Sequence, residues 1–196
     1  MTVRVLAAVG LMAASLAACK KQSAEELLKT AESEYASVVQ SADSVRVSGG
    51  DIKKVFQPSI DAYEKVIAGY PGTDQAERAL SVLATIRNND TREPELAIEA
   101  YQRYLAAFPD GPQAPTSMFL IGYLYNNELH NTDSAAAAYR RFLEKFPQHE
   151  MATSAQFELQ NLGKSPDDLL LQNRETEQPP AAAERPRKRV PASKTL

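Results

Sequence analysis

The residue types most able to do chemistry are few in this chain, and they do not converge. Two histidines, His130 and His149, sit beside Leu129 and Gln148 with no Cys, His or Asp at metal-ligand spacing, so neither metal binding nor proton transfer is expected of them. Asp167-Asp168 follows Ser165-Pro166, and Asn89-Asp90 closes an apolar periodic stretch; both read as helix-end residues rather than as paired catalytic carboxylates. The single cysteine, Cys19, excludes an intramolecular disulfide and a redox-active pair. No glycine loop is built to cradle phosphate, and no nucleophile, base and orienting group recur together. The expectation is a protein without metal or cofactor that is not an enzyme. A formal net charge of −3 gives no broad basic surface for nucleic acid.

The elements behind these residues are organised by a phrase that occurs three times: AYEKVIAGYP from Ala62, AYQRYLAAFP from Ala100 and AYRRFLEKFP from Ala138. In the central copy Tyr101, Tyr104, Leu105 and Phe108 fall at i, i+3, i+4 and i+7, one face of a helix that Pro109 ends. Tyr63, Tyr101 and Tyr139 recur every 38 residues, as do Pro71, Pro109 and Pro147. A period of roughly 20 to 50 residues marks a solenoid of stacked units rather than a domain with one enzyme pocket.

Around each copy the chain predicts further helices. Ser23 with Glu26 reads as a capping box that starts a helix running to about Ser44, and Gly49-Gly50 breaks the pattern. Pro58 is expected in the first turn of the next helix. Asp74 to Arg87 and Pro115 to Asn127 have helical spacing, with Gly122 permitting close helix approach; Pro94 and the Asn131-Thr132-Asp133 run open the second and third phrase helices. Met151 to Leu162 makes a last amphipathic helix, and a short turn from Ser165 reaches Leu171.

The ends differ in character. Residues 1–18 read as a secretory signal, with Arg4 before an apolar run from Val5 to Leu16. The junction Leu16-Ala17-Ala18-Cys19 resembles the lipobox of bacterial lipoproteins; the resemblance implies acylation of Cys19, a short linker over 19–22 and, with Lys20 and Lys21 following, an outer-membrane address on the periplasmic face. An ordinary signal peptide with a cysteine near the cut is the alternative. Residues 172–196 are rich in Pro, Ala, Gln, Glu and Arg and are expected to be disordered. Arg185, Arg187, Lys188 and Arg189 form a basic cluster there, open to two readings: a solvated tail, or contact with an anionic partner such as peptidoglycan.

The helix alternation over 23–171 resembles the tetratricopeptide repeat. A small residue, an aromatic four later and a proline eight after that mark its second helix, here Ala97, Tyr101 and Pro109 or Ala135, Tyr139 and Pro147; Ile121, Gly122 and Tyr125 stand for the Leu-Gly-x-x-Tyr mark of its first. Ser59 takes the alanine place in the first copy, and the spacing, longer than the usual period of about 34, is similar to that of BamD-like outer-membrane assembly lipoproteins and Tol-Pal coordinator-type proteins. The resemblance implies an all-α solenoid of about three helix pairs plus a closing helix, whose groove holds an envelope protein or peptide segment. It places the groove on the first helices of the pairs: Arg78, Thr85 and Asn88, then Thr116, Phe119, Tyr123 and Asn126, then Phe157 and Asn161. Phe119 and Phe157 recur at the period and fit packing, whereas Tyr123 is not explained by the repeat, which makes Tyr123 and Asn126 the expected contacts. A cell-wall-associated or division-linked structural lipoprotein is the alternative function, and an envelope enzyme is the reading least favoured by the residues.

Overall fold

The computed structural model describes residues 22–164, all of whose regular structure is helical. The expected signal segment, Cys19, the turn from Ser165 to Leu171 and the basic tail lie outside the described residues. Seven α-helices follow one another: α1 (Ala24–Val47), α2 (Ile52–Gly69), α3 (Asp74–Thr85), α4 (Pro94–Ala107), α5 (Ala114–Asn127), α6 (Thr132–Lys145) and α7 (Ala152–Gln160), with a π-helical turn over Ile86–Asp90 between α3 and α4. Each α-helix packs on the one before it and the one after it, and α1 also touches α3. This is the α-solenoid of helix pairs that the 38-residue period predicts. Among the described residues no helix is long and apolar enough to cross a membrane.

Local chemistry starts most of these helices. The Ser23 hydroxyl accepts the Glu26 N–H at 3.2 Å while the Glu26 carboxylate accepts the Ser23 N–H at 2.8 Å, a complete capping box. Thr73 and Asn131 cap α3 and α6 by accepting N–H groups three residues on, and His149 Nδ1 accepts the Met151 N–H at 3.2 Å beside the start of α7. The His149 ring also packs edge-on against Phe142 and Phe146, which gives this histidine a structural role.

Two sequence expectations need correction. Helix α1 runs past Ser44 to Val47, so the break is confined to residues 48–51. Pro58 does not open α2; it lies inside, because Asp51 already caps the helix by accepting N–H groups from Lys53 and Lys54. A proline within a helix removes one backbone bond and crowds the carbonyl four residues back. Both Pro58 and Lys54 are exposed, so water can reach that carbonyl.

The period is written into the backbone as well as the side chains. Tyr70, Phe108 and Phe146 end α2, α4 and α6 with nearly the same torsions, φ −142, −133 and −128° and ψ 55, 66 and 54°, each immediately before a proline that disfavours the helical region for its predecessor. The other helix ends recur too. Thr91 N–H reaches the Ile86 carbonyl at 2.9 Å and Leu129 N–H the Leu124 carbonyl at 3.0 Å, both five residues back. Arg92 and His130 then turn left-handed, with φ of 52 and 51°, and Glu93 and Asn131 close six-residue loops onto Arg87 and Tyr125 at 2.8 and 2.7 Å.

The core follows the same register. Tyr63, Tyr101 and Tyr139 are all buried, and Ser59, Ala97 and Ala135 lie fully buried at the small-residue position. A Cβ on Gly122 would come within 2.7 Å of the Tyr139 ring, so here the close approach expected of the glycine is required. Full burial of side chains of this size contributes roughly 1.5–3 kcal/mol each, which holds the neighbours together where one pair alone has no covered apolar face.

Candidate functional site

The residues expected to line a groove lie on α3 with its π turn, on α5 and on α7, and they are not equally free. Arg78 donates to Glu32 of α1 at 2.5 Å, and the Thr85 hydroxyl donates to the Ser81 carbonyl at 3.0 Å. Asn88 lies beside the Tyr101 hydroxyl; burial raises the pKa of that phenol and Asn88 partly offsets the rise. The Phe119 ring stands edge-on to Tyr139 and Phe142, with centroids 5.5 and 6.1 Å away, and so packs α5 on α6. Its repeat equivalent on α7, Phe157, is 55% exposed, with no later helix among the described residues to cover it. Asn161 donates to the Phe157 carbonyl at 2.8 Å and accepts from Lys164 at 3.0 Å.

Tyr123 and Asn126 remain. Tyr123 is 41% exposed, Thr116 and Asn126 are half-buried on the same helix, and the Asn126 side chain has no hydrogen-bond partner among the described residues. Asn88 and Asn126 occupy equivalent places, yet only Asn88 meets its tyrosine; the Tyr139 hydroxyl is buried without a partner. Tyr123 joins Asn88, Asn89, Arg92, Pro94, Leu124 and Glu128 around a cleft of about 340 Å³ between the π turn and α5. A phenol edge, amide groups and one cation beside an anion can hold a peptide backbone, and nothing in that set activates a nucleophile.

The turn beneath the cleft is rigidly tied. The Tyr35 hydroxyl of α1 donates to Asp90 at 3.0 Å, and Arg46 lies 3.8 Å from the same carboxylate. Glu93 receives Arg87 at 2.6 Å, Thr91 at 2.7 Å and Lys53 at 3.3 Å. Burial pulls the Glu93 pKa up, but the bonds from Thr91 and Arg87, the charge of Arg87 and the bond from Lys53 outweigh it and hold the carboxyl below its usual range. Across α5, α6 and α7, burial pushes the Tyr139 phenol well above its ordinary pKa, with Glu158 and Tyr123 adding to the shift, and burial raises the Glu158 carboxyl.

Sequence reasoning missed a second concavity on the other face of α5. It has about 450 Å³ of space between α4, α5 and α6, an apolar floor that includes Leu105, Met118 and Ile121, and Gln102, Ser134 and Arg141 at polar positions. Helical spacing carries a signal for it, since Met118, Ile121 and Tyr125 fall at i, i+3 and i+7, but such a stripe reads as core until its neighbours are placed.

Comparison with known families identifies residues 116–149, the stretch of α5 and α6, as a match to the family described as Tetratricopeptide repeat. A search of curated proteins finds no match to the chain. Repeats of this type generally mediate protein interactions, and the helix pairs on either side extend the same architecture.

Proposed function

We propose that this helix-pair solenoid, with its tetratricopeptide repeat, is a non-catalytic adaptor of the bacterial cell envelope, anchored through lipid on Cys19 to the periplasmic face of the outer membrane and serving outer-membrane protein assembly. What carries the reading is the contrast on α5: Phe119 is spent on packing against α6, whereas Tyr123 is exposed and Asn126 is uncommitted. The adjoining cleft supplies amides for a partner's backbone without any catalytic grouping. The lipobox-like junction supports the anchor, since several acyl chains at about 0.8 kcal/mol per buried CH₂ hold a protein stably on a membrane where one does not.

A photo-crosslinking amino acid placed at Tyr123 in intact cells tests the partner face. Recovery of one protein adduct that disappears when Asn126→Ala is added supports the reading, and an absence of any protein adduct overturns it. Loss of acyl label and of membrane sedimentation in Cys19→Ser is the expected result for the anchor, and unchanged sedimentation overturns that part.

A further inference from the structure

The second concavity has a counterpart inside the same chain, one repeat earlier. Shifting its lining back by 38 residues gives the lining of a smaller crevice of about 80 Å³ that includes Glu64, Leu83, Leu96, Glu99, Ala100 and Arg103. There Arg103 grips Glu64 with both nitrogens, at 2.6 and 2.8 Å, a two-pronged pair that bridges α2 and α4. In the later copy Arg141 stands where Arg103 stands, but Gln102 replaces Glu64 and Ser134 replaces Leu96. The arginine has lost its carboxylate and the groove has lost the side chain that helped to fill it. Arg141 is exposed and has no hydrogen-bond or ion-pair partner among the described residues.

A guanidinium is shaped to take a carboxylate through two parallel N–H bonds, and the earlier crevice demonstrates that arrangement at the same place in the fold. Below Arg141 the opening is floored by apolar side chains, and its volume of about 450 Å³ lies in the range that ordinary ligand sites provide. Its length along α6, from Ser134 to Arg141, is about 10 Å at 1.5 Å per residue, room for two or three side chains. We infer that the groove between α4 and α6 docks a partner's peptide segment in which an acidic residue adjoins a bulky apolar one, the carboxylate taking on Arg141 the place that Glu64 fills on Arg103. The inference rests on the adaptor reading only in taking a protein partner, since its face is not the one that carries Tyr123.

The probe is a pair of end-capped, fluorescein-labelled nine-residue peptides with Leu-Leu-Glu or Leu-Leu-Gln at the centre, titrated against the whole protein at low salt by fluorescence anisotropy. The expected result is tighter binding of the glutamate peptide by about tenfold, a ratio that Arg141→Gln brings close to one. Gln102→Glu rebuilds the earlier pair, so it should keep the fold by circular dichroism and weaken the glutamate peptide alone. Tyr123→Ala should leave the ratio unchanged. Equal binding of the two peptides, no binding of either, or a ratio that survives Arg141→Gln overturns the inference. A ratio that instead depends on Tyr123 also overturns it and leaves the adaptor reading standing; that reading falls separately, if the crosslink at Tyr123 captures no protein.

Discussion

Ser59 shows how a single atom departs from an otherwise regular pattern. At the position where later repeats place Ala97 and Ala135, its hydroxyl is buried and has no hydrogen-bond partner. An unsatisfied buried hydroxyl costs about 1–3 kcal/mol, whereas a methyl at the same place costs nothing. Ser59→Ala should therefore stabilise the fold by about 1 kcal/mol, read as a higher urea midpoint with an unchanged slope; a lower midpoint would show that the hydroxyl has a partner in solution. The departure itself was legible in the sequence, because the small-residue register runs through 59, 97 and 135. Gly122 was legible for a similar reason, since a glycine amid large apolar residues on a helix implies a close neighbour. Arg141 was not. An exposed arginine carries no signal alone, and its meaning depends on the distant pairing of Arg103 with Glu64.

At the scale of elements, Glu93 ties the loop between the two helices of one pair to Arg87 and Thr91 and reaches back to Lys53 of the pair before it. Its folded-state pKa lies below the usual carboxylate value. A depressed carboxyl pKa contributes stability that is fully present above the unfolded-state pKa and is lost as pH falls through the folded one. The protein should therefore lose stability as the solution is acidified below about pH 4.5. Glu93→Gln should cost about 1.5–3 kcal/mol near neutral pH, the range for hydrogen bonds to charged groups, and the gap to wild type should narrow on acidification when urea midpoints are measured against pH. A gap that does not depend on pH would assign the loss to packing. The phrase helices were legible because i, i+3, i+4 spacing and a following proline depend on local chain geometry. The π turn was not, since a bond to the carbonyl five residues back has no residue type of its own. The place of Pro58 was not legible, because proline favours a helix start by itself while Asp51, seven residues earlier, already caps α2.

Across the whole molecule, contacts run almost entirely between neighbours along the chain. Stability is then close to a sum of local pair energies and the interfaces between them. The described stack ends on α7, where Ala155 is the only buried residue and Phe157 faces solvent. Amide hydrogen exchange should be fastest among the helices in α7 and slowest in α3 and α4, which have covered faces on both sides. Uniform protection from α2 to α7 would mean that the stack opens as one unit. The solenoid class was legible from the period taken with the helical spacing inside each copy, since a repeat of 38 residues is shared with other repeat architectures but an i, i+3, i+4, i+7 stripe ended by proline is not a strand pattern.

The matching torsions at Tyr70, Phe108 and Phe146 carry a consequence for how such a chain can change. Each unit ends its second helix with the same backbone turn, so length and specificity are separable. A tandem copy of one unit would lengthen the stack without a new joint having to be invented. Exchanges as small as glutamate for glutamine at the place of Glu64 and Gln102 distinguish a seam whose arginine is paired within the chain from one whose arginine is left for another molecule.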